Sequence, residues 1–350
     1  MMKRPRQPAD ISASRPVTNV DDLVHGIVTG DRATLARAIT LIESTRRDHR
    51  ALAEELLQRV LPKTGSAIRA GITGVPGVGK STAIDQLGMN LIAQGHKVAV
   101  LAIDPTSRRT GGAILGDKTR MERLSQRSEA FIRPSPTSGT LGGVARRTRE
   151  TMAVAEAAGF DIIIVETVGV GQSETAVADM VDVFLVLLLA GAGDELQGIK
   201  RGVLELADMM AVTKADGDNV SRATQAAADL KSALGILTPG SQNWMPPVLT
   251  VSARDNRGLD QIWAKIIEHR DVMTVSGEFE SRRRGQRIIW MRDMLADRLS
   301  GLLHSDPTVA AQIRELEQQV AAGRLTPPLA VAGVMRLIGL DVEPSTGPQD

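Results

Sequence analysis

Three observations predict an α/β fold: a doubly wound, mostly parallel sheet with helical extensions at both ends. First, Gly74-Val75-Pro76-Gly77-Val78-Gly79-Lys80-Ser81-Thr82 fits G-x-x-x-x-G-K-[ST], the P-loop signature. Second, strand-length apolar runs alternate with helical patterns from residue 67 onward. Third, runs such as Asp161-Ile162-Ile163-Ile164-Val165-Glu166 are apolar almost throughout, as burial on both sheet faces demands.

The elements follow in chain order. Residues 1–19 read as a disordered tail. Lys3, Arg4, Arg6 and Arg15 stand there with three prolines and no apolar core. A short mitochondrial presequence is the alternative reading. Residues 20–64 read as a helical extension of two or three helices. Asp31 can cap the helix that carries Leu35, Ile39 and Ile42, and Pro62 closes the last one. The favoured reading packs this prefix on the main domain; a partner surface is the alternative. A nucleotide-binding domain is expected over 65–275. Its strands are 67–73, 97–103, 130–133, 161–166, 181–189, 209–213 and 248–251. Its helices are 81–93, 141–158, 196–206, 220–234 and 259–272. Beyond Ser276 the alternation stops. Ile288, Met291, Leu295, Leu299 and Leu302 then recur at helical spacing, so 276–340 is a helical extension and 341–350 a polar tail. Arg282-Arg283-Arg284 reads as a solvated face rather than a nucleic-acid patch, since no aromatics accompany it.

Composition narrows the function. The 350 residues are 42% hydrophobic, enough for a sizeable aliphatic core. Aromatics are only 2% and Tyr is absent, which argues against the stacking platforms of single-strand binders. A net charge of +1 offers no field for nucleic acid or an anionic membrane. No apolar run reaches membrane-spanning length. The absence of Cys excludes disulfides and thiolate metal sites, and fits a cytoplasmic protein.

The P-loop residues assign a chemistry. Glycines let backbone N–H groups turn inward around phosphate oxygens, and the helix that follows adds its positive dipole end. Lys80 can reach the β and γ phosphates, and the Ser81 hydroxyl can ligate Mg²⁺. Thr213-Lys214-Ala215-Asp216 follows a strand. A carboxylate in Asp216's place accepts two hydrogen bonds that guanine donates and adenine does not, so adenine would leave it unpaired. Thr213 stands where Asn is commoner; its hydroxyl can still tie this loop to the P-loop with fewer hydrogen bonds. Ser252-Ala253-Arg254 follows the last strand, where a backbone N–H can meet the guanine O6. Asp104, Asp117 and Glu166 are the carboxylates within reach of metal and phosphates. For Asp117 a loop or capping role stays equally open. Gly169 can donate its backbone N–H to a γ-phosphate. Lys80, Glu166 and Gln172 are the candidate catalytic residues, Gln172 as a guide for the attacking water.

Longer stretches carry a family resemblance. They are Ile103-Asp104-Pro105-Thr106-Ser107, Gly111-Gly112-Ala113-Ile114-Leu115-Gly116-Asp117-Lys118-Thr119-Arg120-Met121, Glu166-Thr167-Val168-Gly169-Val170-Gly171-Gln172-Ser173-Glu174 and Gly191-Ala192-Gly193-Asp194-Glu195-Leu196-Gln197-Gly198-Ile199-Lys200. With the P-loop, they resemble the MeaB/ArgK/MMAA-type GTPases, chaperones of adenosylcobalamin-dependent methylmalonyl-CoA mutase. The likeness spans roughly residues 20–340. It implies a SIMIBI-class P-loop GTPase that turns over GTP to GDP and forms a homodimer through its C-terminal helices. It implies Mg²⁺ held by or near Ser81, Asp104, Asp117 and Glu166. It also implies switch behaviour in the loops at 104–118, 169–174 and 194–200. Cobalamin itself is not expected on this chain, whose five His are scattered. A related isobutyryl- or hydroxyisobutyryl-CoA mutase is an alternative partner. A kinase of a transport-system protein, a nickel-enzyme chaperone and a nucleotide-locked scaffold are the competing classes.

Overall fold

The computed structural model describes residues 19–44, 46–103, 121–134, 141–167, 173–191, 201–234, 241–305 and 307–339. Residues 1–18, the 341–350 tail, the 194–200 run, and Asp104, Asp117, Gly169 and Gln172 lie outside the described residues.

All seven expected strands form. They are β1 (Ile68–Gly74), β2 (Val98–Ile103), β3 (Ala130–Pro134), β4 (Ile162–Thr167), β5 (Val183–Leu189), β6 (Met209–Thr213) and β7 (Val248–Thr250). Their order is β3-β2-β4-β1-β5-β6-β7, and every pairing is parallel. The expectation of a mostly parallel sheet is thus tightened to a wholly parallel one among the described strands. β1 is central, so the glycine loop at its carboxyl end leaves from mid-sheet. Alternate residues of each strand serve opposite cores: Ala99, Leu101 and Ile103 face one, Val98 and Val100 the other.

The prefix consists of α1 (Val20–Val28), α2 (Arg32–Glu43) and α3 (Arg47–Val60). Asp31 caps α2 as expected, accepting from the Ala33 and Thr34 N–H groups. Leu35, Ile39, Leu56 and Val60 are buried in the same core as the sheet face above them, so the prefix packs on the main domain. The other face is covered by α4 (Lys80–Ala93), with α5 (Glu122–Ser125) beside it. α6 (Leu141–Ala157), α7 (Ser173–Ala178), α8 (Arg201–Glu205) and α9 (Val220–Leu234) follow in sequence. α10 (Leu259–Val275) joins the α4 side through Ile262 and Ile266. Gly71 of β1 has no room for a side chain: an added Cβ would meet Phe184 and Val177 at 2.8 and 2.9 Å.

The C-terminal region is three helices: α11 (Glu278–Ser305), α12 (Pro307–Ala321) and α13 (Pro327–Leu337). The structure corrects the reading of Arg282-Arg283 as a solvated face. Arg283 is only 5% exposed. Its Nε and Nη2 donate to the two oxygens of Asp182 at 2.8 and 2.7 Å, and Nη2 also reaches the Ala67 carbonyl at 2.7 Å. Arg282 donates to both oxygens of Asp208 at 2.8 and 2.9 Å. Asp182 and Asp208 stand just before β5 and β6, so two arginines clamp α11 to the amino edge of the sheet. Burial pushes the Asp208 carboxyl up, but the nearby His269 ring and the hydrogen bonds from Arg282 outweigh it and hold it below its ordinary value.

Helix α6 carries a buried carboxyl, Glu150. Burial pushes it from 4.5 up to about 7, against the pull of Arg146 and Arg147. The folded state therefore holds this proton more tightly than the unfolded chain. Glu150's contribution to stability is full below its unfolded value and is lost as pH rises through 7. Glu150→Gln removes that loss. Relative to wild type, the variant is expected to gain about 2 kcal/mol between about pH 5 and about pH 8.5. Urea unfolding of both proteins at the two pH values measures it; a pH-independent difference would refute the assignment.

Candidate functional site

The site begins where β1 ends. Gly74 has φ +150, and an added Cβ would lie 2.5 Å from the Leu187 carbonyl of β5, so only glycine fits. The chain then turns through Gly77 and Gly79, both at positive φ, and Gly79 caps α4. The first turn of α4 thus aims its N–H groups at the loop. Lys80 is buried and folds across the loop. Its Nζ donates to the Gly74 and Val75 carbonyls at 2.7 and 3.1 Å.

Glu166 reaches the same place from β4. It stands level with Ile72 of β1 and Ala102 of β2, close to the carboxyl end of each. The Ser81 hydroxyl donates to Glu166 Oε1 at 2.9 Å. The next residue, Thr167, shares a buried 2.7 Å hydrogen bond with Thr73, which locks β4 to β1 just beneath the loop. Ser81 and Glu166 supply one hydroxyl and one carboxylate, hard oxygen donors that fit Mg²⁺. Among the described residues no group of three His, Asp or Glu gathers as a ready-made metal cage.

Two loops carry the residues expected to read the base. The Thr213 hydroxyl, at the end of β6, lies 2.7 Å from the Val78 carbonyl of the P-loop and 3.1 Å from the Leu188 carbonyl. It ties the loops together as its sequence position suggests. Lys214 then adopts φ +55 and is exposed. The Ser252 hydroxyl donates to Asp216 Oδ2 at 2.7 Å and accepts from the Asp255 N–H at 3.1 Å. The carboxylate expected to read guanine is therefore held from behind by a fully buried serine.

This geometry coincides with a family match. Residues 35–308 match the model of the methylmalonyl Co-A mutase-associated GTPase MeaB. The chain belongs to that family. It is a GTPase. Among relatives of this MeaB-family chain, a probable GTPase of Mycobacterium tuberculosis is 56% identical over 332 residues, covering 95% of this chain and 99% of its own. GTPase ArgK of Escherichia coli is 48% identical over 298 residues, 85% of this chain and 90% of its own. The mitochondrial methylmalonic aciduria type A homolog of Mus musculus is 47% identical over 318 residues, 88% of this chain and 77% of its own. The crystal structure of an LAO/AO transport system kinase superposes with a TM-score of 0.73 at 38% identity, covering 92% of this chain and 99% of that one.

The MeaB-family site thus brings together Gly74 to Thr82, Glu166, Thr213 to Asp216 and Ser252 to Ala253. Arg254 is also on the base loop, but its side chain is exposed. A different arginine braces that loop. Arg257 Nη2 donates to the Ala215 carbonyl at 2.8 Å, and the Arg257 and Ser252 backbones pair across the turn. Asp85 of α4 is a second residue that motif reading misses. Buried, it accepts from the Leu124 N–H at 2.9 Å and pairs with Arg123, fixing α5 against the P-loop helix.

Proposed function

We propose that this chain is a Mg²⁺-dependent GTPase that serves a cobalamin-dependent acyl-CoA mutase, methylmalonyl-CoA mutase first, by gating adenosylcobalamin loading and protecting or reactivating the mutase. The observation that carries the reading is the family match over 35–308, which spans P-loop, Glu166, Asp216 and Ser252 alike. In this mechanism the P-loop N–H groups and Lys80 hold the β and γ phosphates. Ser81 and Glu166, with Asp104 and Asp117, would hold the metal. Bound there, Mg²⁺ supplies charge neutralisation at the phosphates. Gln172 orients the attacking water, and the Gly169 N–H reports whether a γ-phosphate is present. Asp216 and the Ser252-Ala253-Arg254 backbone read guanine, with Lys214 alongside the base. With no strong base in that set, intrinsic turnover is slow and the mutase accelerates it.

In this reading the chain works as a homodimer through α11 to α13 and binds no cobalamin, nucleic acid or membrane itself. Among the described residues no helix is long and apolar enough to cross a membrane. We place it in the cytoplasm.

The deciding experiment is GTP hydrolysis by the purified chain with and without a panel of adenosylcobalamin-dependent acyl-CoA mutases, with ATP as control. Acceleration by one mutase, with GTP only, supports the chaperone reading and names the partner; an isobutyryl- or hydroxyisobutyryl-CoA mutase would correct its identity. Indifference to every mutase removes it. A kinase reading rests only on the likeness to the 38%-identical transport system kinase; radiolabel passing from γ-labelled GTP to a partner protein would revive it. For the base, Asp216→Asn is expected to weaken GTP binding about a hundredfold, because the amide presents a donor to guanine's donors. The same amide suits a ring carbonyl, so xanthosine triphosphate should bind the variant better than wild type. Fluorescent-nucleotide titration measures both; unchanged GTP affinity would displace Asp216 from the site.

A further inference from the structure

One turn holds Asp216 from two directions. Ser252 opens the turn and donates its hydroxyl to Asp216 Oδ2 at 2.7 Å. Arg257 closes it: the Ser252 and Arg257 N–H groups donate to each other's carbonyls at 3.0 and 2.9 Å. The Arg257 guanidinium then reaches across to the neighbouring loop, where Nη2 donates to the Ala215 carbonyl at 2.8 Å. That carbonyl belongs to the peptide leading into Asp216. Ser252 therefore fixes the carboxylate, and Arg257 fixes the backbone that carries it. The Ala215 N–H is held as well, by the Val251 carbonyl at 3.0 Å. Asp255 Oδ2 lies 3.3 Å from the same Nη2 and steadies the guanidinium over the turn.

The turn has little freedom of its own. At Gly258, with φ +78, an added Cβ would lie 2.5 Å from the Thr250 carbonyl. Asn256 takes φ +51, a left-handed conformation that Asn tolerates better than most residues. Its amide is clasped by Asn90 of α4. Asn90 Nδ2 donates to Asn256 Oδ1 at 2.8 Å, and Asn256 Nδ2 donates to Asn90 Oδ1 at 3.2 Å. The turn is thus registered on the P-loop helix, and Arg257 passes that register to the backbone beside Asp216.

The consequence is one of aim. A carboxylate accepts guanine's ring N–H and exocyclic amine together only if both of its oxygens lie along the edge of the base. Residues 214–216 lie between β6 and the next helical turn, and Lys214 is exposed, so no ladder sets that direction. We infer that Arg257 is a specificity-determining positioning residue: by holding the Ala215 carbonyl it aims Asp216 so that both guanine donors are met at once. It acts through Asp216, not on the base. This rests on the reading of Asp216 as the guanine acceptor.

The test compares GDP with inosine diphosphate, whose base keeps the ring N–H and lacks the amine. Displacement of a fluorescent nucleotide from the full chain measures both affinities. Wild type should favour GDP about tenfold or more, as expected for one hydrogen bond to a charged group. Arg257→Met should bring that ratio below about threefold by weakening GDP, while single-turnover hydrolysis at saturating GTP stays within about twofold of wild type. Arg257→Lys can still donate to the carbonyl and should keep the ratio within about twofold of wild type. Asn90→Ala loosens the turn as a whole and leaves the Arg257 and Ser252 bonds in place, so it should weaken both nucleotides alike. The Arg257 side chain is more than half exposed, so its variants should fold. An Arg257→Met protein that keeps the wild-type ratio would overturn the role of Arg257 and leave Asp216 in place. The same ratio lost in Asn90→Ala would assign specificity to the turn and take it from Arg257. A wild type that binds the two nucleotides alike would remove the Asp216 reading and this inference with it.

Discussion

Lys80→Ala is expected to lower single-turnover GTP hydrolysis about a thousandfold while leaving the fold intact. The ammonium is buried at the head of α4 and bonded to two carbonyls of its own loop, so it holds the loop closed around the place where phosphate oxygens belong. Replacing those carbonyls by β and γ oxygens exchanges neutral acceptors for charged ones, and the gain grows as charge develops on the transferring group. Alanine forfeits that gain and leaves two loop carbonyls to find other donors. Folding should survive, because the Thr73–Thr167 bond and the β1 pairings do not depend on the side chain. Rapid-quench turnover at saturating GTP, with circular dichroism as the folding control, separates the outcomes. A folded variant within tenfold of wild type would take Lys80 out of the chemistry.

How far this was readable from the sequence differs by element. The seven strands were legible because each is a short apolar run closed by a turn, and their ends fall within two residues of the expected ones. Helices α5 and α7 were not, since four and six residues carry too little periodicity to stand out. On the phosphate side, Lys80 and Ser81 stand in the P-loop pattern and Glu166 at the end of an apolar strand, and the fold brings Ser81 and Glu166 within hydrogen-bond reach. The base side was half legible. Thr213 and Asp216 stand in a motif, whereas Arg257 acts on a carbonyl 42 residues away, and no local pattern announces such a contact. The arginine run shows the same limit more sharply. Its charges are obvious in sequence, but its partners, Asp208 and Asp182, are 74 and 101 residues distant. Charge alone reads as solvated until the fold brings those carboxylates to one sheet edge.

That arginine pair carries the largest stability effect expected here. Arg283→Ala should destabilise the protein by about 3–5 kcal/mol, the cost of stripping one partner from a buried ion pair. Asp182 would keep the Arg69 N–H at 2.9 Å but lose both guanidinium bonds, and the Ala67 carbonyl would lose its donor as well. The Phe279 ring, whose centroid lies 4.4 Å from the Arg283 guanidinium carbon, would lose its cation–π partner. Arg284, next in the run but exposed, is the control; Arg284→Ala should change stability by less than about 0.5 kcal/mol. The pairing itself is read from a double-mutant cycle with Asp182→Ala. If the two residues act as one clamp, the double variant should be less destabilised than the sum of the singles by about 1–3 kcal/mol, because removing both charges leaves neither buried alone. Additive losses in urea unfolding would mean that Arg283 contributes through packing and carbonyl bonds, not through Asp182. Arg282 and Asp208 make a second clamp at the neighbouring strand, so α11 should stay docked in the single variants. The loss is then expected as a lower midpoint of one cooperative transition, not as a separate early unfolding of the C-terminal helices.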